Sequence, residues 1–587
     1  MNTATRRRGG VFLTPLPFAE KAIEYLDKTL GKQRLLSGEY RLWDMAAGTG
    51  HLELFLPKET QQYCYLSTLE QKDVHRLKKE FPSATVFQYN YLEDDVEQLP
   101  SQVGCRPPDA EVGDNRLRTS ENNILLASST KYCKQPPSDQ LPNFPVKLPD
   151  ALRNDLANPK IKWIILVNPP YATAQEAGLQ GKSKEGVSNT KIRKQMHAEG
   201  LGEVSRELYV QFLYRIMNEF KHRKTILGLF SPLKYLISAN YQKFRDRLFK
   251  AIFQSGFVFS SENFGGTSKT SHFPVSFILW DIDQNKNITG QEIQLDILDH
   301  TAQKIGTKTV KPTNRNDFLS RWIKRPRGTK IFPPFSSALT IKLGNVDTRN
   351  RIAEGFLASL MCPGNELQNQ QQTAFLSGPQ VSAGALSVTP DNFEQAVVVF
   401  SVRRIPKDSW IDHVDQLMRP NRELSPQFIG DCAVWSLFDS KNQTVSLKNV
   451  IYQGQFYQVV NHFFPFTVAD ILFFVYTEAQ RSVKTISCPS CFCEKQKENS
   501  FVADWLSQQT LSEEAQTVLD SAREIYRLYF ANFAGPYDAG WYQIQKALLD
   551  AKLGIDLLAN LKRQHSKLKE KILPLLYNYE LLRENRD

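Results

Sequence analysis

The chain has few cysteines, eight in 587 residues and widely scattered. That excludes a disulfide framework and points to a reducing compartment. It has no apolar run near the roughly 18 residues of a membrane span. The longest candidate, from His462 to Tyr476, is interrupted by Pro465 and Asp470. Arg6, Arg7 and Arg8 open the sequence, but Thr14, Pro15 and Pro17 take the place of a leader's apolar stretch. Glycine and proline, 30 and 31 residues, are too scarce for a fibrous or low-complexity chain. The expectation is a cytoplasmic protein with no membrane partner.

The length implies two or three domains, and 41% hydrophobic residues suffice for their cores. The formal net charge of +11 suits a polyanionic partner. Its distribution is uneven. Lys304, Lys308, Lys311, Arg315, Arg321, Lys324, Arg325 and Arg327 fall in one stretch ending at Lys330, against one acid, Asp317. These cations are candidate DNA contacts, and a solvated surface is the plainer alternative.

Short apolar runs at Arg41–Met45, Tyr63–Leu69, Thr85–Tyr91, Lys162–Val167 and Thr225–Phe230 read as strands. Helical patterns separate several of them, at Gln71–Phe81 and at Ser205–Phe220, where Leu208, Phe212, Ile216 and Phe220 share a face. Strands alternating with helices predict an α/β fold with a doubly wound sheet. Ser255–Ser260 and Phe273–Trp280 suggest an antiparallel hairpin at its edge. Residues 93–160, rich in Pro, Asp, Asn and Ser, read as an insertion. The expected domains are 1–285, then a mixed, mainly β domain at 286–490, then a helical region at 491–587. Strand candidates in the second include Gln395–Val402, Cys432–Leu437 and Asn449–Val459. Helices are expected at Ser507–Phe533, Tyr542–Leu549 and Leu557–Leu582.

Two motifs carry chemistry. Asp44-Met45-Ala46-Ala47-Gly48-Thr49-Gly50 follows a strand and is expected to open a helix, with glycines allowing a tight turn and close ligand approach. Glu70, twenty residues beyond Gly50, ends the next apolar run, where an acid can accept ribose hydroxyls or simply cap a helix. Val167-Asn168-Pro169-Pro170-Tyr171 ends another strand. Its prolines forbid helix and remove two N–H donors, so the Asn168 amide and the Pro169 carbonyl are stiffly held acceptors. Tyr171 adds a ring face for stacking.

These strings resemble the N6-adenine DNA methyltransferases, and the motif order over residues 11–285 resembles their gamma subclass. The resemblance implies a class I, S-adenosylmethionine-dependent fold followed by a target-recognition domain. It assigns the cofactor to Asp44, Ala46, Gly48, Gly50, Glu70 and Asn90, the last standing where the family usually has Asp. Phe12, Thr14 and Pro15 resemble the motif around the cofactor's methionine end. Asn168, Pro169, Pro170 and Tyr171 become catalytic, with Phe273 resembling the aromatic that sandwiches a flipped adenine against Tyr171. Implied partners are double-stranded DNA and a possible separate restriction endonuclease, with the enzyme acting as a monomer and nucleoid-associated when on DNA. The same chemistry on RNA adenine or a glutamine amide, and a catalytically inactive DNA-specificity protein, are the alternatives.

No metal site is expected. Cys488, Cys491 and Cys493 begin like a zinc knuckle, but a fourth ligand has to come from afar, such as Cys432 or His462. Gly265–Thr270 lacks the glycine that a phosphate-binding loop places before its Lys.

Overall fold

The computed structural model describes residues 13–96, 147–171, 190–264, 272–331, 351–379, 384–407, 409–452, 454–471, 499–533 and 537–583. They divide into two compact units. The first takes the described residues within Met1–Tyr235, Lys243–Thr267 and Val275–Lys304, and the second takes the others.

The first unit is built on strands β1 (Tyr40–Asp44), β2 (Cys64–Thr68), β3 (Thr85–Gln88), β4 (Lys162–Val167), β5 (Thr225–Pro232), β6 (Ile252–Ser260), β7 (Pro274–Asp281) and β8 (Ile293–Leu298). Their order is β3-β2-β1-β4-β5-β7-β6-β8. From β3 to β5 all pairs are parallel, with Trp43 opposite Tyr65 and Ile165, and β7 runs antiparallel to β5. This is the doubly wound, mixed sheet that the sequence predicts. The central strand β4 is buried from Trp163 to Val167, which explains its unbroken apolar text. Helix Leu208–Phe220 follows it in the chain, and helix Leu16–Leu30 brings Phe18 to stack on Phe259 of β6 at 3.9 Å.

Two expectations change. The predicted edge hairpin lies inside the sheet, because β8 pairs in parallel with β6 and extends the sheet beyond it. The Gly48/Gly50 loop opens no α-helix; a short 3-10 turn, Glu53–Phe55, follows. Pro57 is the cause, since it drives Leu56 to extended backbone (ψ 141°) and stops a helix after one turn.

The second unit has a small sheet in which Ala358–Met361 lies between Leu386–Val388 and Ala374–Leu376, with Asn442–Gln443 outermost. Around it, helices Phe393–Arg404, Pro426–Phe438, Glu513–Asn532, Trp541–Asp550 and Ile555–Asn578 share one core. The strand readings at Gln395–Val402 and Cys432–Leu437 are therefore helical instead. Both helices are apolar nearly all round, so neither shows a 3.6-residue stripe. Asn449–Val459 falls in a hairpin, Leu447–Tyr452 against Gln455–Val459. Helices Trp541–Asp550 and Ile555–Asn578 answer to the expected 542–549 and 557–582, whereas the expected 507–533 is helical only as Glu513–Asn532, with Ser507 ending a separate helix, Phe501–Ser507. Among the described residues no helix is long and apolar enough to cross a membrane.

Candidate active site

The loop after β1 is drawn tight by its own atoms. The Ala46 N–H donates to the Asp44 carboxylate at 2.7 Å, the Ala47 N–H to the Ser67 carbonyl, and the Gly50 N–H to the Ala47 carbonyl. Gly48 and Gly50 have φ of 55° and 80°, the left-handed region that favours glycine. A Cβ at Gly50 would strike the Phe81 ring at 2.6 Å, whereas one at Gly48 would meet only the Ala46 carbonyl at 3.7 Å. Gly50 thus lets the loop pack on helix Gln71–Glu80, and Gly48 leaves space for a ligand.

That space is a cavity of about 360 Å³. Of the predicted residues, Thr14, Asp44, Ala46, Gly48, Glu70, Asn90, Asn168 and Pro170 line it. Pro15, Gly50, Pro169 and Tyr171 are adjacent in the chain but do not line it, and Phe12 lies outside the described residues. Three strand ends (β1, β2 and β4) and the turn after β3 meet here, the crevice position that open α/β sheets give their ligands.

Glu70 stands at the N-cap of helix Gln71–Glu80 but makes no side-chain cap bond. Its carboxylate is 43% exposed, 3.9 Å from Lys72, and available to the cavity. Asn90 lines the cavity while its side-chain oxygen accepts the Leu92 N–H at 3.1 Å and its own N–H donates to the Asp94 carboxylate. The turn is fixed from below by Arg215, whose buried guanidinium donates to the carbonyls of Tyr91 and Asp94 and to the Tyr89 hydroxyl. Sequence reading found helix Leu208–Phe220 but not this role, which no periodicity announces.

The Asn168 amide is oriented on both sides. Its Nδ2 donates to Thr14 Oγ1 at 2.9 Å, and its Oδ1 accepts the Tyr171 hydroxyl at 2.7 Å. Thr14, 4% exposed, is therefore an orienting partner of the amide as well as part of the cavity wall. Burial holds the Tyr171 hydroxyl protonated well beyond the usual phenol range. Tyr209 and Phe264 meet its ring edge-on, at 6.4 and 6.1 Å. Phe273 directly precedes β7 and groups with the second unit.

One acid was missed. Glu53, 1% exposed, lies beneath the loop beside the Asp44 carboxyl. Burial, and then the charge of Asp44, pushes it well above the usual carboxylate range, so it stays protonated. Asp44, 2% exposed, is pushed up to about 6 by burial, against the opposing pull of Glu53 and of the Ala46 N–H. Of the two, Glu53 is the one held more strongly toward its protonated form, and Asp44 stands at the cavity wall.

The basic stretch does not act as one surface. Lys308 is fully buried with its ammonium 2.7 Å from the Asp415 carboxylate, and Lys304 pairs with Asp296 at 2.8 Å. Lys311, Arg315, Arg321, Lys324, Arg325 and Arg327 are exposed. Among the described residues no group of His, Cys, Asp or Glu is placed to hold a metal ion. Cys432 is buried in its helix, and Cys488, Cys491 and Cys493 lie outside the described residues, as does Gly265–Thr270.

No protein-family model matches the chain, and no curated protein does. Several solved structures are similar to it. The modification subunit of a putative type I restriction enzyme from Vibrio vulnificus YJ016 is 13% identical over 50% of this chain and 50% of its own, with a TM-score of 0.28. A putative class I S-adenosylmethionine-dependent methyltransferase from Listeria monocytogenes is 9% identical over 49% of this chain and 65% of its own, TM-score 0.26. The type IIL restriction-modification enzyme MmeI in complex with DNA is 9% identical over 97% of this chain and 75% of its own, TM-score 0.32. The chain matches about half the length of the type I structures.

Proposed function

We propose that the first unit transfers a methyl group to N6 of an adenine in double-stranded DNA and that the second unit reads the site. One observation carries the reading: a single cavity is walled by the Gly48 loop, by Glu70 and by Asn168 and Pro170. A nucleoside sulfonium fits these walls. Asp44 offers the anion for its ammonium, Gly48 the open cradle, Glu70 the acceptor for ribose hydroxyls and Asn90 an amide for the purine. S-adenosylmethionine, when bound, supplies the electrophilic methyl group.

The chain's own residues prepare the nucleophile. Adenine N6 is a poor one because its lone pair is delocalised into the ring. Asn168 Oδ1 and the Pro169 carbonyl accept its two hydrogens, which returns electron density to nitrogen as it leaves planarity. Because Thr14 and Tyr171 hold the two ends of the amide, this dipole is in place before the base arrives, the form of catalysis that costs no reorganisation. The Tyr171 hydroxyl donates to Oδ1 and steadies the amide from its other side. A base inside a duplex cannot reach this crevice and has to be extruded, at a cost of a few kcal/mol. Stacking on Tyr171 offsets about 1–3 kcal/mol of that.

Asn168→Ala tests the assignment. Cofactor affinity is expected within about twofold of wild type, while methyl transfer falls by about a hundredfold or more. Substantial remaining transfer would remove Asn168 from the chemistry.

A further inference from the structure

Between Asp439 and Asp470 the sequence contains no acidic residue, while Lys441 and Lys448 are present. In the middle of that stretch stands the two-stranded hairpin Leu447–Tyr452/Gln455–Val459, which forms its own separate sheet. Val459 at its base is buried, but the apolar residues near its tip point the wrong way for a hairpin that serves folding alone. Ile451 and Phe456 are direct cross-strand partners next to the turn, yet they are 63% and 74% exposed. The other exposed side chains on the strands are Leu447, Lys448, Gln455 and Gln458. The turn itself is open, since a Cβ on Gly454 (φ 77°) would meet nothing within 4 Å.

The base of the hairpin adjoins the basic stretch. Gln458 and Val459 wall a hollow of about 280 Å³ together with Lys330, and Glu354 is the acid on that wall. Lys324, Arg325, Arg327 and Lys330 are all exposed on the segment leading to it. A free-standing ribbon, acid-free, tipped with an apolar pair and approached by cations, matches one kind of partner. Two-stranded ribbons fit a groove of duplex DNA, Gln and Lys side chains reach base edges and phosphates, and apolar tips wedge between base steps.

We propose that this hairpin is the element of the second unit that enters a groove of double-stranded DNA, with Phe456 and Ile451 as a wedge at its tip and Arg325, Arg327 and Lys330 holding the flanking backbone. The inference rests on the reading of the chain as a DNA methyltransferase and deepens it by naming the reading element. Loss of the wedge removes contacts at the tip, and loss of Lys448 removes about one phosphate contact.

The test uses the full chain, a fluorescently labelled random-sequence duplex pool and labelled S-adenosylmethionine. The double variant I451S/F456S, altered only at exposed positions, is expected to keep cofactor affinity and thermal midpoint. Its duplex affinity is expected to fall by about tenfold or more. Lys448→Ala is expected to lower the slope of log affinity against log salt by about one. Wild type that binds duplex, with both variants binding equally well and with the same slope, would overturn the hairpin's role and leave the methyltransferase reading standing. Wild type that neither binds duplex nor methylates it would overturn both. A double variant that keeps its duplex affinity but loses self-association would make the tip a docking face for a second copy, and that too overturns the proposal.

Discussion

Replacing Glu53 with Gln removes a proton equilibrium from beneath the cofactor loop while keeping the side chain's shape. Glu53 is buried, and with Asp44 beside it, its folded-state value lies well above that of the free acid. A group whose folded value is raised contributes stability at low pH that is lost as pH rises through the folded value. The wild type should therefore lose stability relative to E53Q by about 1.4 kcal/mol per pH unit. That window opens near pH 4.3, where the unfolded acid gives up its proton, and closes at the raised value in the folded state. Urea unfolding of both proteins at several pH values reads this directly, as the difference in free energy against pH. Asp44 adds its own signature in both proteins. Raised from 3.8 to about 6, it favours folding below about pH 4, and that contribution is lost as pH rises to about 6. The same titration governs the ligand, because only ionised Asp44 attracts an ammonium, so S-adenosylmethionine affinity should fall as pH drops below about 6. Parallel stability curves for wild type and E53Q would refute the claim that Glu53 carries a proton in the fold.

Thr14→Val keeps the volume but deletes the acceptor of the Asn168 Nδ2 bond, which is worth about 0.5–1.5 kcal/mol. The turnover number is expected to fall by about tenfold with cofactor affinity little changed; an unchanged turnover number would mean that the amide needs no support from Thr14. Gly50→Ala forces a Cβ to within 2.6 Å of Phe81 and 2.7 Å of Leu77 at a φ of 80°. Cofactor affinity is expected to fall by about tenfold or more, read by calorimetry, with loss of stability of about 1–3 kcal/mol. An alanine variant that binds as wild type would mean that the loop does not depend on this packing.

The parallel half of the sheet was legible because its strands are short, largely apolar runs; β4 is unbroken from Trp163 to Val167, and β2 is buried throughout although it ends on Ser67 and Thr68. That the Gly48 loop, Glu70 and Asn168 meet at one cavity was legible because each stands at a strand end in a motif of short spacing. What was hidden depends on long-range partners. Lys308 and Lys311 look alike in the sequence, yet one is fully buried against Asp415 and the other is exposed. Arg215 and Glu53 owe their roles to groups brought near by folding. The helices Phe393–Arg404 and Pro426–Phe438 were misread through their all-round burial, although Ser425, capping the Phe428 N–H, and Pro426 at the first turn marked the second one's start. Asn449–Val459 was read as a single strand; it is parts of two, paired as a hairpin, and neither the turn between them nor the exposure of Ile451 and Phe456 was foreseen.

The central claim concerns which atom receives the methyl group. Duplex DNA incubated with the protein and S-adenosylmethionine carrying a deuterated methyl group, then digested and examined by mass spectrometry, shows it directly. Labelled N6-methyldeoxyadenosine, absent with Asn168→Ala, is the predicted result. Label confined to cytosine, to RNA or to protein, or no label from an enzyme that binds the cofactor, would contradict the account.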